Sequence, residues 1–64
     1  MFNGKRLSLA RKRQKLTAKE LAEKAGVSPV TITRLETGQN QADSGTLEKL
    51  AEVLGYPMQF FFKE

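Results

Sequence analysis

The chain has no cysteine and no histidine among its 64 residues. Without cysteine no disulfide can staple the fold, and no thiol is available as a nucleophile. Without histidine the usual general acid–base group is missing. Together the two absences leave a zinc ion only hard oxygen ligands, so neither a metal nor a cofactor is expected. No apolar run approaches the ~20 residues of a membrane span, and the N-terminus lacks the apolar stretch of a signal peptide. These exclusions predict a soluble intracellular chain with no partner in the membrane and no catalytic constellation.

Positive charge is what the sequence has in excess. Eleven Lys and Arg stand against seven Asp and Glu, a net +4. The excess is uneven: residues 1–24 carry eight cations and two carboxylates, whereas residues 25–64 carry three cations and five carboxylates. A basic half on so small a chain suits a polyanionic partner, either nucleic acid or an anionic membrane surface. It equally suits a solvated helix face.

Sixty-four residues allow one domain, which would bury roughly 60% of the surface its unfolded chain exposes. The punctuation divides it into five short segments, predicting an all-α, five-helix bundle. The first, 4–15, places Leu7, Ala10, Arg11 and Gln14 at helical spacing. Arg11 interrupts that stripe and needs a partner if it is buried. The second opens on Thr17-Ala18-Lys19-Glu20, a capping box, and stops at Gly26. The third starts with Ser28 as N-cap and Pro29 at the first helical position, then runs through Thr37 to Gly38. A polar loop leads to Asp43 as the next N-cap, and Gly55 ends the fourth segment. Residues 56–62 form a short aromatic turn or helix. The expected core is Leu7, Ala10, Leu21, Ala22, Ala25, Val27, Ile32, Leu35, Leu47, Leu50, Ala51, Leu54 and Phe61.

Segments two and three, joined by a short turn containing Gly26, have the form of a helix-turn-helix unit, about 17–37. The second helix of such a unit can enter the major groove of B-DNA. With Ile32 as zero and about 100° per residue, Leu35 at about 300° and Glu36 at about 40° define an inward side. Thr33, Thr37, Val30 and Arg34 fall at about 100°, 140°, 160° and 200°, on the opposite side. Arg34 can present its planar fork to guanine or phosphate, and Val30 can pack on a thymine methyl. Thr33 and Thr37 can donate to base or phosphate, and Ser28 with the free amides of the helix start can take a phosphate.

Arg11, Thr17-Ala18-Lys19-Glu20-Leu21-Ala22, Ala25-Gly26-Val27-Ser28, Thr31-Ile32, Leu35-Glu36-Thr37-Gly38, Thr46-Leu47-Glu48-Lys49-Leu50-Ala51 and Leu54-Gly55 carry a wider likeness. In this order and spacing they resemble the Cro/C1-type (XRE) helix-turn-helix family over nearly the whole chain. The resemblance implies a lambda-repressor-like fold of five α-helices and transcriptional repression in a bacterial or phage cytoplasm, at the nucleoid. It also implies a homodimer on double-stranded DNA. Base reading would fall on Pro29, Val30, Thr33 and Arg34. Further DNA contacts would come from Thr17, Ala18 and Lys19 and from Gln39 and Asn40. Arg11 would pair with Glu36. Two features depart from the family pattern. Ala18 stands where many relatives carry a phosphate-binding Gln, and Gln39, Asn40 and Gln41 are neutral where relatives often carry Lys or Arg.

Tyr56, Phe60, Phe61 and Phe62 place four of the five aromatic residues in seven positions. Phe61 is expected inward. Three consecutive phenylalanines cannot all face inward, so part of this end is expected at a surface. The resemblance assigns Tyr56, Phe60 and Phe62 to a dimer or interdomain contact. Together with Phe2-Asn3-Gly4-Lys5-Arg6-Leu7, this end is similar to a subgroup in which an ImmA/IrrE-type peptidase domain follows. The chain is then either a small complete regulator or the DNA-binding end of a longer one. A competing reading is an antitoxin-like protein-interaction module that uses the aromatic patch and binds DNA weakly.

Overall fold

Each helix begins where a short polar side chain can satisfy the free amides of its first turn. In the computed structural model, which describes residues 1–39 and 42–62, there are four α-helices. They are α1 (Gly4–Arg13), α2 (Ala18–Ala25), α3 (Pro29–Glu36) and α4 (Ser44–Leu54). Asn3 caps α1, its Oδ1 accepting from the amides of Lys5 and Arg6 at 3.0 and 3.3 Å. Thr17 and Glu20 form the expected capping box, with bonds of 3.0 and 2.8 Å in the two directions. Ser28 accepts from the Val30 amide at 3.2 Å and Asp43 from the Thr46 amide at 2.8 Å. No strand occurs among the described residues.

The fifth segment is not an α-helix. Met58–Phe62 is a 3₁₀ helix, entered through a bond from the Phe60 amide to the Pro57 carbonyl at 3.0 Å. Five residues after a proline are too few for a full α-helix, and the tighter turn suffices to deliver Phe61 to the core. Its end is tied to the chain's start, because the Asn3 amide donates to the Phe61 carbonyl at 2.6 Å. The first helix also stops earlier than its pattern suggests. Lys15 sits in the left-handed region at φ 58°, and the amides of Lys15 and Leu16 return to the carbonyls of Lys12 and Arg11. That is a Schellman closure with lysine in the place usually held by glycine.

Every expected core residue is buried except Val27, which is half-buried where the chain turns out of α2. These residues form one cluster that draws on all four α-helices and the 3₁₀ helix. Within it α2 packs on α3 and α4, while α1 packs on α3 and on the 3₁₀ helix. The aromatic residues join at one end. Phe2 stacks on Phe61 at 6.2 Å and meets Phe62 edge-on at 5.9 Å. Phe61 meets Phe60 and Tyr56 edge-on at 5.3 and 6.2 Å. No helix among the described residues is long and apolar enough to cross a membrane.

Candidate nucleic-acid interface

The α2–α3 pair is set by its three-residue connection. Gly26 adopts φ 72°, ψ 32°, a left-handed conformation that costs glycine little and other residues more. The Val27 amide then returns to the Ala22 carbonyl at 2.9 Å, closing α2. Ser28 and Pro29 restart the chain at once as α3. Leu21, Ala22 and Ala25 of α2 are buried together with Ile32 and Leu35 of α3, which fixes how the second helix is presented.

The other side of α3 is open. Pro29, Val30, Thr33 and Arg34 are exposed, as is the cap Thr37, and Val30 is 54% exposed. The Arg34 guanidinium makes no hydrogen bond or ion pair among the described residues. The two threonine hydroxyls bond within the helix in the absence of DNA. Thr33 donates its hydroxyl proton to the Pro29 carbonyl at 3.3 Å, and Thr37 donates to the carbonyls of Thr33 and Arg34 at 3.0 and 3.2 Å. Their donor capacity is therefore turned into the helix, because a hydroxyl carries a single proton. A helical wheel gives the direction of a side chain but not its rotamer.

Behind this face, the last residue of α3 is held by α1. Arg11 Nε donates to Glu36 Oε2 at 2.6 Å and Nη2 to Oε1 at 3.0 Å, a bidentate pair. The remaining Nη1 donates to the Leu16 carbonyl at 2.8 Å. Both side chains are well shielded, at 14% and 13% exposure. The hydrogen bond to Glu36 raises the Arg11 pKa above its already high ordinary value, so the guanidinium stays charged. Each nitrogen of the cation that interrupted the apolar stripe of α1 thus has an acceptor.

The Helix-turn-helix family model matches residues 7–61. The chain belongs to the Cro/C1-type helix-turn-helix family. This is a family of DNA-binding regulators and not a known enzyme class. Over 57 residues the chain is 39% identical to the HTH-type transcriptional repressor RghR of Bacillus subtilis, covering 88% of the chain and 42% of RghR. Among solved structures it is similar to the biofilm master regulator SinR in complex with DNA, SinR being a Bacillus subtilis protein. That likeness has a TM-score of 0.87 and 31% identity, covering 94% of this chain and 97% of that one. The restriction-modification controller protein C.AhdI from Aeromonas hydrophila gives a TM-score of 0.88 at 27% identity, covering 92% and 89%. The chain spans less than half the length of the curated relatives it matches.

The remaining candidate residues of this helix-turn-helix domain lie at its element ends. Thr17 and Lys19 are exposed and Ala18 is half-buried at the start of α2. The capping box engages the Thr17 and Glu20 amides, leaving those of Ala18 and Lys19 among the four a helix start cannot bond internally. Gln39 is exposed, with its amide on the Arg34 carbonyl at 2.9 Å. Asn40 and Gln41 lie outside the described residues. At the aromatic end only Phe62 is exposed, at 43%. Tyr56 and Phe60 are half-buried against each other at 4.5 Å, with the Arg6 guanidinium 4.8 Å over the Phe60 ring. Met1, Phe2 and Phe62 border an open groove that reaches Glu36, Thr37 and Gly38. Sequence reasoning singled out neither Gly4 nor Leu16 as a support of α3. Gly4 packs on the carbonyls of Leu35 and Glu36, and Leu16 supplies the third acceptor for Arg11. Glycine at a helix start is ambiguous in sequence, and a carbonyl acceptor has no sequence signal at all.

Proposed function

We propose that the chain is a single helix-turn-helix domain that binds double-stranded DNA sequence-specifically and serves a transcriptional repressor. Residues 28–37 lie in the major groove, with Pro29, Val30, Thr33, Arg34 and Thr37 toward the bases. Ser28, Thr17, Lys19, the free amides of Ala18 and Lys19, and Gln39 and Asn40 meet phosphates. The observation that carries this reading is Arg34, an exposed guanidinium without a partner among the described residues, on a helix whose opposite side is locked into the core. The likeness to SinR, solved with DNA, and to the repressor RghR supports it. The domain works in the bacterial cytoplasm, at the nucleoid, with no cofactor and no catalysis of its own.

A homodimer on two half-sites one helical turn apart follows from the same reading. Phe62, beside the groove that reaches the end of α3, is its contact. A protein-interaction module built on the aromatic end has less support, since Phe2, Tyr56, Phe60 and Phe61 are wholly or partly buried within the chain. Selection from random duplexes tests the function directly. An enriched motif, bound with log K falling by roughly 0.9 per neutralised phosphate against log salt, is the expected result. No enrichment and a flat salt response would reject it.

A further inference from the structure

Asn3 is followed directly by Gly4, and the fold needs each of them for a separate reason. Asn3 caps α1, its Oδ1 accepting from the amides of Lys5 and Arg6. Gly4 lies so close to the end of α3 that a β-carbon would collide with the carbonyl oxygens of Leu35 and Glu36. Packing therefore keeps in place a pair of neighbours prone to spontaneous deamidation, because glycine puts no side chain in the way of its own nitrogen.

The chemistry needs only water. The Gly4 backbone nitrogen attacks Asn3 Cγ, the Cγ–Nδ2 bond breaks, and the side-chain amine leaves as ammonia with the proton that the nitrogen gave up. A five-membered succinimide remains, and water opens it at either carbonyl. Opening at the side-chain carbonyl gives aspartate. Opening at the main-chain carbonyl gives isoaspartate, which routes the backbone through the β-carbon.

The folded chain opposes the first step. Ring closure brings the Gly4 nitrogen to the same side of the Cα–C bond as Cβ, which requires a strongly negative ψ at Asn3. As the cap, Asn3 holds φ −107° and ψ 102°, and that turns the nitrogen away from Cβ. Its Oδ1 is tied to the first turn of α1, and its amide donates to the Phe61 carbonyl at 2.6 Å. The reaction thus waits on local opening of this end of the domain.

We propose that Asn3–Gly4 is a self-modifying site guarded by the fold, and that isoaspartate there prevents an opened chain from closing again. Aspartate keeps the capping oxygen and adds negative charge at the start of α1, where it is favourable. Isoaspartate lengthens the backbone by a methylene between the amide that meets Phe61 and the glycine that meets α3, so the two can no longer engage together.

The test incubates the protein in mildly alkaline buffer, with and without urea, and follows residue 3 by peptide mass spectrometry. Asn40, the other asparagine, precedes glutamine and serves as the reference for the effect of urea itself. Normalised to Asn40, Asn3 should deamidate at least about tenfold faster in urea than in the native protein, the ratio set by local closure. A chain synthesised with isoaspartate at residue 3 should melt well below the wild type, whereas Asn3→Asp should melt at or above it. Equal normalised rates in the two states would overturn the guarding. Wild-type melting of the isoaspartate chain, or an equal loss in Asn3→Asp, would overturn the block to closure.

Discussion

Gly4 lies against the backbone of Glu36: a β-carbon there would stand 2.7 Å from the Glu36 carbonyl oxygen. The start of α1, with its partial positive charge, therefore meets the partial negative end of α3 at a separation only glycine allows. Arg11, two turns further along α1, holds the carboxylate of the same residue. One helix thus fixes both the backbone and the side chain at which α3 ends.

Gly4→Ala should therefore destabilise the domain well beyond an ordinary glycine-to-alanine change. The added methyl would also collide with the Leu35 carbonyl. Overpacking against immobile backbone costs about 2 kcal/mol or more, roughly a 10 °C fall in melting temperature for a chain of this size. Circular dichroism melts measure it, and an unchanged melting temperature would show that α1 does not pack this closely.

Arg11→Ala should cost about 3 kcal/mol, because it strands the shielded Glu36 carboxylate. The double replacement Arg11→Met with Glu36→Leu should recover most of that loss, since no charge is then left unpaired. Urea titrations of the three proteins separate the cases. Equal losses in the single and double variants would contradict a paired, desolvated bridge.

Lys15→Gly should stabilise the domain by about 0.5–1 kcal/mol. Lys15 is the only non-glycine residue with positive φ among the described residues, and a left-handed lysine is strained by about that amount more than glycine's extra chain entropy. A rise of a few degrees in melting temperature is the expected reading, and a fall would mean that the closure of α1 depends on the lysine side chain.

Acid should weaken the helix caps. Backbone and side-chain hydrogen bonds from Thr17 lower the Glu20 pKa below its ordinary 4.5, and those from Thr46 lower Asp43 below its ordinary 3.8. Carboxylates with depressed folded values contribute stability that is present above the unfolded pKa and lost as pH falls through the folded one. Glu20→Gln with Asp43→Asn keeps both caps without a charge to titrate. Its melting temperature should fall less than the wild type's from pH 5 to pH 2, and an identical slope would remove the caps from the acid response.

Much of this was readable because helix ends are local chemistry. Thr17 with Glu20, Ser28 with Pro29, and Asp43 each act within one turn, so sequence spacing alone locates them. The orientation of Ile32 and Leu35 against Val30 and Arg34 follows in the same way from helical period. Long-range features were harder. Nothing local joins Asn3 to Phe61, or Phe2 to Phe61 and Phe62, across nearly the whole chain. The end of α1 was misplaced because Lys15 occupies a position that glycine usually marks. The bonds of Thr33 and Thr37 to carbonyls of their own helix were not legible either, because period fixes a face and leaves χ1 open.

The central claim is that the exposed Arg34 guanidinium, which has no partner among the described residues, carries a base contact of the proposed DNA recognition. The most direct measurement compares wild type with Arg34→Ala by fluorescence anisotropy on the selected duplex and on a scrambled duplex at one salt concentration. Arg34→Ala should lose about tenfold or more on the selected duplex, the worth of one bidentate guanine contact, and far less on the scrambled one. Its melting temperature should match the wild type, since Arg34 is exposed. Equal affinity of the two proteins for the selected duplex would contradict the account.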